Sequence, residues 1–197
     1  MKRIAISFTL SIATASAFAQ HPHQHSSHAS PYAGQEKRAI KSLSNEDIAE
    51  LERGGGWGLA KAAELNGVPG PAHLLEMRKE IGLSNDQISK LQAIFDDMKS
   101  KAIKAGKHLI ALERELEEAF RAGPVSDDQL KKLLAGVEAS RSALRYIHLA
   151  AHLTSPPLLT RQQIQAYNKL RGYDGDPCAH VPAGHDPKMW RLHNGCK

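Results

Sequence analysis

Aromatic side chains are scarce in this chain, 5% of 197 residues against 41% hydrophobic residues in all. A large enzyme fold with a thick core is therefore disfavoured, and the length suits one domain or at most two small ones. Strand-type alternation is nearly missing, while Ala, Leu, Glu, Lys, Arg and Gln abound, so the fold class expected is all-α. No apolar run beyond the N-terminus approaches the ~20 residues of a membrane span. Dense Lys/Arg blocks with interleaved aromatics are also missing, which argues against nucleic acid as a partner. No H-E-x-x-H zinc motif occurs: His148 and His152 stand four apart, but Leu149 occupies the place of the general base, and no enzyme activity is expected.

What is present begins with a leader. Lys2 and Arg3, an apolar and small-residue run over residues 4–18, and the A-x-A site Ala17-Phe18-Ala19 read as a cleavable secretory signal over residues 1–19, hence a periplasmic mature protein. The formal charge of +5, less the two carried by Lys2 and Arg3, leaves a mildly basic +3. Residues 20–42 read as a disordered linker rich in histidine, with His21, His23, His25 and His28, a density that either gathers soft ions or is simply solvated. Cys178 and Cys196 are an even pair in a chain sent to an oxidising compartment, and a disulfide between them is the natural expectation, two free thiols the alternative.

Helix signals follow in order. Ser44 with Asp47 forms a capping-box pattern opening a short helix through Ile48 and Leu51 that Gly54-Gly55-Gly56 ends. A second short helix is expected at about 58–65, completing a short helical segment over residues 43–69, and Pro71 starts a third helix through His73, Leu74, Met77 and Glu80. Ser84 and Gln87 then open the strongest pattern in the chain. Ile88, Leu91, Phe95, Met98, Ala102, Ala105, Leu109, Leu112, Leu116 and Ala119 recur in steps of three and four, a seam on one helix from about 84 to 122. Ser126 caps a partner whose seam is Leu130, Leu133, Val137, Ser140, Leu144, Ile147 and Ala151, stopped by Pro156-Pro157. The short turn at Gly123-Pro124 makes these helices an antiparallel hairpin in which residue i lies beside about 248 − i. Thr160 and Gln163 open a last helix that halts at Gly172, and residues 174–197 read as an irregular tail.

Leu83-Ser84-x-x-Gln87 and Leu159-Thr160-x-x-Gln163 are two copies of one motif at two helix starts. With the hairpin between them, residues 70–173 resemble the Spy/CpxP family of periplasmic proteins, marked by a repeated L-T-x-x-Q motif, and its heavy-metal relatives ZraP and CnrX. Ser84 in place of threonine is a mild departure. The resemblance implies a homodimeric cradle of helical hairpins, acting as an ATP-independent chaperone for unfolded clients or as an envelope-stress regulator that meets a periplasmic sensor domain. The relatives bind metal. Residues 32–70 and the cysteine-bearing tail fall outside it.

His148 and His152 project from one helix face at the spacing that lets two imidazoles hold one ion. The hairpin register sets Asp96 near His152, and His73 with Met77 repeats the four-residue spacing on the helix before Leu83. Together they make an N/O/S set for zinc, copper, nickel or cobalt, with no organic cofactor expected. CnrX, by resemblance, uses a similar set. The alternative reading leaves the two histidines as polar flanks of the seam and Met77 as core. On the long helix, Lys99, Lys101, Lys104, Lys107 and Arg114 form either a solvated face or a basic surface for clients, to which Ile94, Ile103 and Ile110 would add apolar spots unless dimerisation buries them. Two functions follow as expectations: a chaperone or stress regulator with coupled metal binding, or a periplasmic metal sensor or buffer.

Overall fold

The computed structural model describes residues 30–175, 178, 181 and 184–196. The expected leader and His21, His23, His25 and His28 lie outside the described residues. The described residues fall into two units, 30–34 in one and those from Gln35 onward in the other; in the first, residues 30–34 turn about Ser30, whose Oγ accepts from the Tyr32 N–H.

The second unit is all-helical among its described residues. It carries α1 (Asn45–Glu52), α2 (Lys61–Glu64), α3 (Pro71–Glu76), α4 (Asn85–Ala122), α5 (Asp127–Thr154), a 3-10 turn (Pro156–Leu158), α6 (Arg161–Arg171) and α7 (Pro187–His193). No described helix is long and apolar enough to cross a membrane. Ser44, Ser84 and Thr160 each close a full capping box, and Ser126 caps α5 through the Gln129 N–H. These side chains satisfy amides that the first helical turn leaves unpaired, typically about 1 kcal/mol each.

The hairpin of α4 and α5 has the expected register: Leu112 lies over Gly136, its Cδ2 3.5 Å from where a Cβ would stand, and the two positions sum to 248. A second buried stripe on α4 was not legible in its seam. Gly106, Ile110 and Glu113 are covered by the N-terminal part of the unit, so that Ile40, Leu43 and Leu51 share one core with Ala102, Leu109, Val137 and Leu144. The approach is as close as backbone allows, since a Cβ on Gly106 would stand 2.4 Å from the Leu51 carbonyl oxygen.

This corrects the reading of residues 20–42 as a disordered linker at its described end. Ile40 is 1% exposed, and the polar residues around it are tied to α4. Ser42 Oγ donates to Glu113 Oε2 at 2.8 Å, the Lys41 ammonium and amide both donate to Glu117, and Arg121 donates to the Ala39 carbonyl. One apolar anchor in a polar segment leaves no periodic trace. Ile110, expected as an exposed spot or dimer contact, is buried under this segment, and Gly54 rests on the half-buried Ile103.

The two repeated motifs meet at the open end of the hairpin. Gln87 and Gln163 each donate from Nε2 to the other's Oε1 at 2.9 Å, while each Oε1 accepts from its own cap residue, Ser84 or Thr160. Their Nε2 groups also reach the Leu158 and Gly82 carbonyls. Leu83 and Leu159 pack beside a second cluster of Leu74, Ile81, Leu91 and Tyr167. In the tail, Cys178 and Cys196 are joined by a disulfide, with Cα atoms 5.5 Å apart. The tail is not wholly irregular: Asp186 accepts from the Met189 N–H and Pro187 fills the first position of α7, a helix start hidden among Gly, Pro and His.

Candidate functional site

Near His148 and His152, residues 53–73 lie over α4 and α5 and leave a cavity of about 460 Å³ beneath them. Three details hold this cover in place. Gly54, at φ +69°, sits so tightly on α4 that a Cβ would be 3.0 Å from both Ile103 Cγ1 and the Lys99 carbonyl oxygen. Trp57 adopts φ +44°, a left-handed conformation rare for a bulky residue, and is fixed there by its hydrogen bonds. Its indole Nε1 donates to Asp47 Oδ1 and its amide to Glu50 Oε1, both at 2.8 Å, and the Arg141 guanidinium lies 4.8 Å from the ring centroid. Arg141 in turn donates to Glu113, 5% exposed, whose other oxygen takes Ser42. A buried carboxylate is tolerable only with such partners. The glycines and tryptophan thus belong to the cavity's architecture.

The two histidines are buried, His148 at 4% and His152 at 8% exposure. The His152 Nδ1 lies 2.7 Å from the Val68 carbonyl oxygen, which can only accept, so Nδ1 carries a hydrogen and Nε2 is the ring nitrogen left to meet a ligand. That nitrogen faces Gly70, where a Cβ would stand 2.4 Å away. His148 Nε2 is buried without a hydrogen-bond partner among the described residues. Burial, helped by the neighbouring His152, holds the His148 pKa below the ordinary 6.5, while Glu50 and the Gly55 backbone pull it the other way. His148 is therefore a neutral imidazole at pH 7.

Beside them Glu64 ties α2 to α6. Its Oε1 accepts from the Tyr167 hydroxyl, from Tyr173 at 2.9 Å and from Arg171 Nε at 3.1 Å, and its Oε2 is 4.0 Å from His152 Nδ1. Burial alone would raise its pKa; the tyrosine hydroxyls, His73 and Arg171 outweigh burial and hold it below the usual carboxylate range. Burial and the Glu64 charge push Tyr167 far up, so it stays a hydroxyl donor.

Of the residues expected to bind metal, His148 and His152 come together in the cavity, and His73 stands in its wall with Nδ1 3.1 Å from Glu76 Oε2. Asp96 and Met77 do not join them. Asp96 is at the right level of α4 but points to solvent and accepts from Gln92, because register fixes height along a helix and not the face presented. Met77 packs against Leu74, Ile81, Leu91 and Tyr167, as the core reading of it anticipated. No three His, Cys, Asp or Glu side chains among the described residues gather closely enough to hold an ion. Met98, a seam position in the sequence, does line the cavity; nothing in the seam distinguishes it from core. Compared with protein-family models, curated proteins and solved structures, the chain matches none.

Proposed function

We propose that this chain is an exported, Spy/CpxP-like helical protein of the periplasm that binds a transition metal beside His148 and His152, as a buffer or sensor. The observation that carries this is the His148 ring: neutral, 4% exposed and with Nε2 at the cavity unpartnered among the described residues. An unpaired buried nitrogen costs about 1–3 kcal/mol, an arrangement retained where a ligand supplies the missing partner. His152, four residues on, offers its own Nε2, and imidazole suits zinc, copper, nickel and cobalt alike. The test is calorimetric titration of these metals into the full chain and into the His148→Ala, His152→Ala double variant. The variant is expected to lose one equivalent and keep whatever the N-terminal histidines take; equal stoichiometry in both rejects the site.

A second reading, client or sensor-domain binding, is favoured by another observation. Tyr146 and Leu153 on α5 are each 70% exposed, beside a groove of about 320 Å³ whose lining includes Ile94, Ile147 and Ala150. Lys104, Lys107 and Arg114 add exposed positive charge on α4. If this face holds unfolded chains, the protein at equimolar ratio suppresses aggregation of a denatured client, and Tyr146→Ser with Leu153→Ser weakens the effect at least severalfold; no suppression by the unaltered chain removes this reading.

A further inference from the structure

The donor set beside the cavity is too small for zinc and soft in character. Structural zinc takes four nitrogen, oxygen or thiolate ligands and catalytic zinc three. Among the described residues no three such side chains gather. His73 and Glu64 also stand in the cavity wall, but His73 is paired with Glu76 and Glu64 with Arg171, which leaves two imidazoles and one thioether as donors. Met98 is 9% exposed and lines the cavity together with His148 and His152. In the observed register it faces position 150, midway along α5 between those two histidines. A thioether is a weak ligand for divalent ions and a good one for cuprous copper, which is satisfied by two or three soft ligands.

Charge points the same way. Arg53, Lys61 and Lys99 stand in the cavity wall, and its one carboxylate, Glu64, is already engaged by Arg171. Repulsion from this cationic wall is twice as large for a divalent as for a monovalent ion at the same place. Phe95, Pro71 and Ala72 contribute apolar surface, which suits an ion of low charge and weak hydration.

We propose that the cavity is a site for a soft monovalent ion, cuprous copper, ligated by His148 Nε2, His152 Nε2 and Met98 Sδ. This rests on the metal-binding reading above and narrows it to one class of ion. Met98 also lines the groove on the other side of the α4–α5 contact, so its side chain separates the two spaces and an ion held on its sulfur bears on both.

The experiment uses the full chain with silver(I) as a redox-inert probe and copper(I) under a reducing atmosphere, each in competition with a chromophoric chelator. Unaltered protein is expected to retain one equivalent more than His148→Ala. Met98→Leu, which conserves volume, is expected to weaken that equivalent at least tenfold while leaving the thermal midpoint nearly unchanged. X-ray absorption at the copper edge should show a sulfur scatterer in the unaltered chain that Met98→Leu lacks. The proposal is overturned if Met98→Leu binds as tightly as the unaltered chain or if no sulfur is seen. If zinc binds and is lost in His148→Ala while copper(I) and silver(I) show no extra equivalent, the soft-ion assignment fails and the metal site stands. If no metal distinguishes the unaltered chain from His148→Ala, both fall.

Discussion

Gly106 shows how one missing methyl decides a packing arrangement. In an exposed helix interior, alanine in place of glycine gains about 1 kcal/mol. Here the added carbon would stand 2.4 Å from the Leu51 carbonyl oxygen, which is backbone and cannot swing aside. Gly106→Ala is therefore expected to reverse the usual sign and cost about 1–3 kcal/mol, read from the denaturation midpoint. His148 offers a different residue-level test. Its pKa is lowered chiefly by burial, so the unfolded chain binds its proton first as the pH drops. The stability it leaves intact above the ordinary value of 6.5 is lost as pH falls from there through the lowered native value. The slope of stability just below pH 6.5 should flatten in His148→Gln; an unchanged slope would mean that the ring is solvated in the folded protein.

Helix starts were the most legible elements because their signals are local. The Ser44, Ser84 and Thr160 boxes each lie within four residues, and each begins its helix one residue after the cap. The hairpin seam was legible for the same reason, its steps of three and four needing no partner to be read. The second stripe of α4 was not, since Gly106 and Glu113 interrupt any apolar pattern and are buried by what covers them. The meeting of Gln87 and Gln163 was hidden too: capping foretold their local bonds, but their mutual pair joins positions 76 apart. Gln87→Ala and Gln163→Ala should each destabilise by about 1 kcal/mol, and the double variant by less than the sum. Strict additivity in that cycle would show the pair to be uncoupled in solution.

At the scale of the whole unit, the histidine pair was legible from its spacing, but the cavity around it was not. Its cover comes from residues 53–73, and their seating depends on Trp57, Arg141 and Glu113, contacts that no local pattern encodes. The same separation orders events in time. The bond between His152 and the Val68 carbonyl spans 84 positions and that between Tyr167 and Glu64 spans 103, whereas α4 and α5 turn back on each other within a few residues. Contacts between near neighbours form fast, and distant ones wait for longer loops to close. Amides of residues 54–70 are accordingly expected to exchange with deuterium well before those in the middle of α4 and α5, and a bound ion to slow the former selectively. On this ordering the small cover over His152 settles after the hairpin and lifts before it, and whatever binds beneath it sets how long it stays shut.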